Sequence, residues 1–222
     1  MVYSVDISRI SVNQYMGMLK NQNLLPSRKI LLENLEDNFN KILAMKIETL
    51  AELKKNISSA QKLSAFSEKT GISENYLTIL KREMGSLEQK PVPISEFPCI
   101  SENTVSALLN KKIKTSKDIY NLAITSDNIS AVSSEMNIGV GELQELNDLC
   151  NLVRINGIGA VAAKTIYESG YKSVDDIANA KAVKLLEDMN TVNADKQYYK
   201  ANLGEKDMQF IIDAANLIIK MG

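Results

Sequence analysis

The sequence predicts an all-α fold, and three observations carry that prediction. A hydroxyl residue followed three places later by an acid recurs at Thr49 with Glu52, Thr115 with Asp118 and Ser173 with Asp176. There the hydroxyl can accept from an orphan amide of a first helical turn, and the acid can reach back to favour the positive helix end. Apolar residues then follow at helical spacing, as in Leu63 and Phe66 or Leu77 and Leu80. Nowhere does β-branched alternation run between hairpin turns.

Taken in order, Ser11 with Gln14 caps a helix from about Val12 to Asn23, and Pro26 opens the next segment. A turn at Met45 and Lys46 leads to the Thr49 cap, and further caps are expected at Ser58 (with Gln61) and Ser73. Lys90 to Pro98 holds all but one of the prolines, removes amide donors and marks a boundary. Beyond it, turns at Lys111 and Lys112 and at Ser169 and Gly170 precede the caps at Thr115 and Ser173. Helices of about 8–15 residues are the expected length.

The chain repeats itself. Shifted by 66 residues, Lys46 and Ile47 meet Lys112 and Ile113, Leu53 meets Ile119, Ile72 meets Ile138, Leu77 meets Leu143 and Leu80 meets Leu146. A third copy lies 58 residues further on, where Ile113, Lys114 and Thr115 meet Tyr171, Lys172 and Ser173. The expected organisation is an N-terminal unit over 1–90 and a C-terminal domain over 91–222, itself made of 91–150 and 151–222. Leu53, Phe66, Ile72, Leu77 and Leu80 should be buried with Ile119, Val132, Ile138, Leu143 and Leu146.

Composition narrows the function classes. The chain has 222 residues, no His, no Trp, two cysteines and a formal charge of −1. Without His, Ser-His-Asp and Cys-His catalysis and most zinc sites are excluded. Cys99 and Cys150 read as small core residues. Residues 1–90 hold 13 basic and 10 acidic residues, 91–150 hold 4 and 8, and 151–222 hold 9 and 9. Such a chain does not coat DNA by charge, although one or two phosphate contacts remain open to it. The expectation is a non-enzymatic binding protein with no cofactor and no metal. Residues 1–10 lack an apolar signal core and no run of about 18 apolar residues occurs, so a cytoplasmic protein without a membrane span is expected.

One stretch carries a sharper signal. Leu152, Ile155, Gly157, Ile158, Gly159, Ala163 and Ile166 have the spacing of two helices joined by a tight hairpin. Gly157 and Gly159 would permit positive φ, Ile158 would plug the gap and Ala163 would allow close approach. The amides opening the second helix would then face outward as an anion site.

This segment resembles the helix-hairpin-helix of DNA repair polymerases, ligases and recombinases. Nearly the whole chain resembles a bacterial family known as domain of unknown function four-three-three-two. The stretches that carry this resemblance begin at Tyr15, Ser73, Leu152 and Lys196. It implies tandem, SAM-like helix-hairpin-helix units and no known reaction. It further implies phosphate contact through amides near Gly157, Ile158, Gly159, Val161 and Ala162, with Lys164 as the added cation. In some polymerase hairpins backbone carbonyls also hold a monovalent cation, and Val153, Ile155 and Ile158 stand at those positions. The family pattern often has polar residues or Pro where Ala160, Val161 and Ala162 stand, and that apolar tip suits a protein contact. The corresponding places in the other units hold Phe97, Cys99, Ile100, Ser101 and Val105, and Leu31, Glu33, Asn34, Leu35 and Phe39, without either glycine. The expected function is weak, sequence-blind contact with nucleic-acid backbone; the alternative is a protein-interaction adaptor. Lys111, Lys112, Lys114 and Lys117 read as a solvated turn. Tyr198 and Tyr199 read as a packed loop, and the acid pairs Asp175–Asp176 and Glu187–Asp188 as surface.

Overall fold

The computed structural model describes every residue except Met1, Asn23 and Cys99, so the reading of Cys99 lies outside the described residues. Among those residues the chain is helical, with isolated bridges and no strand. It divides into two compact units, one of Val5–Glu88 with Met221 and one of residues 2–4, 89–220 and 222.

In the first unit, a 3-10 turn at Ile7–Arg9 precedes α1 (Val12–Asn21), and another at Pro26–Leu32 precedes α2 (Leu35–Ala44). Then follow α3 (Leu50–Asn56), α4 (Ala60–Thr70) and α5 (Glu74–Ser86). Ser11 and Gln14 form the expected capping box. The cap of α4 is Ser59, which accepts from the Lys62 amide, whereas Ser58 donates to the Lys55 carbonyl. Adjacent serines are equivalent in sequence, and the one with extended backbone takes the cap. Leu53, Phe66, Ile72, Leu77 and Leu80 are buried. Glu83 is buried with them, held by the Arg28 guanidinium and by Gln22 Nε2 at 3.2 Å.

The second unit holds α6 (Glu102–Asn110), α7 (Ser116–Asn121), α8 (Ile129–Met136) and α9 (Val140–Leu152). It continues with α10 (Ala160–Glu168), α11 (Val174–Ala178), α12 (Ala182–Lys196) and α13 (Glu205–Met221). The helix α9 packs against α7, α8 and α10, and α10 packs against α12. Ile119, Ile138, Leu143 and Leu146 are buried as expected, but Val132 is only half-buried. Ser133 takes the inward position instead, its hydroxyl donating to the Ile138 carbonyl at 2.5 Å.

The three capped turns share one backbone solution. Lys46, Lys112 and Gly170 adopt positive φ of 60°, 65° and 95°, each three residues before its cap. The carboxylates of Glu52, Asp118 and Asp176 accept from the cap amides at 3.2, 2.9 and 2.9 Å. The helices that follow have 7, 6 and 5 residues, shorter than expected. Two of the turns are pinned by short antiparallel pairings, Val12 N to Glu48 O at 2.8 Å and Ile94 N to Lys114 O at 2.9 Å.

Candidate functional site

The turn between α9 and α10 is built from a few backbone bonds. Leu152 ends α9, the Ile155 amide donates to the Leu152 carbonyl at 3.0 Å, and the Ile158 amide donates to the Ile155 carbonyl at 3.1 Å. Ile155, Ile158 and Ala163 are fully buried, so the plug and the small residue do pack the gap. Gly157 has φ +94°, and a Cβ there would stand 2.9 Å from Phe210 Cε1. Gly159 does not need positive φ: it is extended, with φ −92° and ψ 177°, and a Cβ would meet nothing within 4 Å. Its role is to start α10, whose first turn has no side-chain cap.

Of the predicted contact residues, Gly157, Gly159 and Val161 reach the surface, Ala162 is half-buried and Ile158 lies beneath them. Lys164 does not extend from the tip. It is 5% exposed, with Nζ 2.6 Å from Glu145 Oε1 and 2.9 Å from Glu168 Oε1. Burial disfavours its charge, yet the two carboxylates outweigh that and hold its pKa above the ordinary lysine value. The Tyr198 hydroxyl also donates to Glu168, at 2.9 Å. Glu168 was readable as the i+4 partner of Lys164. Glu145, nineteen residues away on α9, had no local signal. Phe210 had no local signal either: it flanks Gly157 from α13 and is 41% exposed, and Val161 on α10 is 40% exposed. Val161 and Phe210 thus expose apolar surface here, and Lys164 is closed into an ion cluster.

The Ile158 carbonyl, one of the cation-type positions, faces Gln89 Nε2 at 3.4 Å. Lys111, Lys112, Lys114 and Lys117 are all exposed, and Lys111 lies 3.7 Å from Glu135. Tyr199 is bracketed by Asn193, which accepts from its amide and donates to its carbonyl, both at 3.0 Å. Asp176 caps α11, and Asp188 accepts from Tyr171 and Lys184. Cys150 is a buried thiol whose pKa burial raises well above the ordinary value. Among the described residues no helix is long and apolar enough to cross a membrane.

No curated protein and no solved structure matches this chain. The sequence pattern of the family described as Domain of unknown function (DUF4332) matches residues 98–217, more than half of the chain, and the chain belongs to that family.

Proposed function

We propose that this chain is a non-enzymatic helical binding module, that its α9–α10 turn is a helix-hairpin-helix, and that this turn takes a protein partner. One observation carries the choice of partner. The cation expected at the tip, Lys164, is consumed by Glu145 and Glu168, and Arg154 within the turn is engaged by the Tyr3 carbonyl and Asn151, while Val161 on α10 and Phe210 against Gly157 present apolar surface. A phosphate approaching the tip would find amides but no free ammonium, and would have two carboxylates nearby. Apolar side chains rimmed by polar ones are the usual core of a protein contact.

A second reading is favoured by a different observation. Gly159 offers α10 no side-chain cap, so the opening amides remain available to an anion. Contact with one or two phosphates of a nucleic-acid backbone would follow from them. Titration of the whole chain with duplex and single-stranded DNA and RNA separates the two, at ~50 mM salt and up to ~100 μM protein. The protein-partner reading expects no saturable binding. The nucleic-acid reading expects weak, sequence-blind binding with a log–log salt slope of about −1 to −2.

We further propose that the units arose by duplication. The bounds of α5 and α9 differ by 66 residues at both ends. So do the positive-φ caps Gly71 and Asn137 and the hydroxyl-to-carbonyl bonds of Ser67 to Ile72 and Ser133 to Ile138.

A further inference from the structure

Residues 2–4 belong to the compact unit of residues 89–220, although the chain from Val5 to Glu88 belongs to the other. What holds them is concentrated on Tyr3 and the carbonyl that precedes it. Tyr3 is 5% exposed, whereas Val2 is 44% exposed. The Tyr3 hydroxyl shares a 2.5 Å hydrogen bond with Ser116 Oγ, and its ring meets the Tyr120 ring edge-on at 5.7 Å. Arg154 Nε donates to the Tyr3 carbonyl at 2.7 Å, and the Tyr120 hydroxyl donates to the Val2 carbonyl at 3.3 Å. An aromatic side chain and two backbone carbonyls are thus read by three residues from α7 and from the turn after α9.

The walls of this slot stand without the segment that fills it. Ser116 Oγ also accepts from the Val92 amide at 2.9 Å, and the Ser116 amide donates to the Val92 carbonyl at 2.8 Å. Arg154 is separately fixed by Asn151 Oδ1 at 3.0 Å and by the Tyr120 ring, 4.2 Å from its guanidinium carbon. Its partners are neutral, so nothing in the slot but a carbonyl completes its Nε–H. Burial pushes the Tyr3 hydroxyl up to about 12, which keeps it a neutral partner for Ser116 at any physiological pH. A preformed pocket, an aromatic anchor and a guanidinium on the peptide backbone are the parts of a hot-spot peptide site.

We propose that Ser116, Tyr120 and Arg154 form a docking slot for an extended, tyrosine-bearing peptide segment, and that residues 2–4 fill it as a releasable strap. The occupant is specified by the contacts: a tyrosine whose own carbonyl and the preceding carbonyl are both free to accept. While the strap is docked it competes from within the chain, at the millimolar effective concentration typical of a short tether. An incoming segment gains access in proportion to the released fraction.

The test uses the full chain carrying Tyr3→Ala and a fluorescent peptide with the sequence Val-Tyr-Ser-Val, acetylated and amidated. The variant should bind the peptide, and wild type should bind it at least about tenfold more weakly. Replacing the peptide tyrosine with phenylalanine should weaken binding several-fold, and adding Arg154→Gln to the Tyr3→Ala chain should abolish it. A Tyr3→Ala chain that melts like wild type yet ignores the peptide would overturn the proposal, leaving residues 2–4 as fixed core. Should Tyr3→Ala fail to fold, Tyr3→Phe loosens the strap while keeping its ring. Peptide binding tighter than that of wild type would then support the slot, and binding no better than wild type would reject it.

Discussion

Lys164 on α10 and Glu145 on α9 are joined at 2.6 Å, and the same ammonium reaches Glu168 one turn onward at 2.9 Å. The cluster ties two helices together at the turn and sets an acid limit on that tie. Glu168 is disfavoured as an anion by burial, but hydrogen bonds from Lys164 and Tyr198 outweigh this and depress its pKa. A depressed carboxylate adds stability that is present above about pH 4.3, its unfolded value, and is lost as pH falls through the folded value. Lys164→Met should cost about 2 kcal/mol near neutrality and flatten this acid limb. Urea midpoints between pH 3 and pH 7 measure both effects; an unchanged limb would remove Lys164 from the account.

Asp148 has the opposite sign. Burial raises its pKa, and Gln144 Nε2 at 2.8 Å and Lys172 offset only part of that. A carboxylate with a raised folded pKa withdraws stability as pH rises through its range. Asp148→Asn keeps an oxygen for Gln144 and should raise the melting temperature at pH 7, with little effect at pH 3.

The two glycines of the α9–α10 turn should respond differently. Gly157→Ala forces a side chain into φ +94° against Phe210 and should cost about 1–2 kcal/mol. Gly159→Ala meets open space at an ordinary φ and should be close to neutral. Equal losses in denaturant melts would mean that the turn is not built as described.

Ser67→Ala and Ser133→Ala each leave a carbonyl, that of Ile72 or Ile138, without its hydroxyl donor. Each should lose about 1–2 kcal/mol, and the two losses should agree. Unequal losses in the two single variants would show that matching geometry has not kept matching energetics.

Removing Glu83 should be more damaging than any of these. It is 3% exposed and pairs with Arg28, so Glu83→Ala leaves a guanidinium half-enclosed without its counter-charge. About 3 kcal/mol is expected, and Glu83→Ala with Arg28→Met should recover much of it. A double variant no better than the single would place the loss in packing instead.

Local chemistry was legible in the sequence wherever one helical turn contains both partners. The caps at Ser11, Thr49 and Ser173 and the plug at Ile158 all fall in that class. Choices between neighbours were not legible. Ser59 rather than Ser58 caps α4, and Ser133 rather than Val132 turns inward, because backbone torsion decides and both residues fit the pattern. Contacts across long separations were invisible as well. Glu145 neutralises Lys164 from another helix, and Tyr3 reaches Ser116 across 113 positions, so the site read from spacing alone had one cation too many and one aromatic anchor too few.

The route of the chain through residues 2–4 also bears on how this protein can be dissected. The stretch that the family pattern matches, 98–217, begins after Val92 and Ile94, whose backbone pairs with Lys114 and Ser116, and it omits Tyr3 altogether. A fragment cut to those limits would bare the Ser116 hydroxyl and leave the Arg154 Nε–H without its carbonyl. The block that the family pattern matches is therefore smaller than the compact unit to which it belongs, and truncation to its borders would uncover polar groups that Tyr3 and Val92 engage in the full chain.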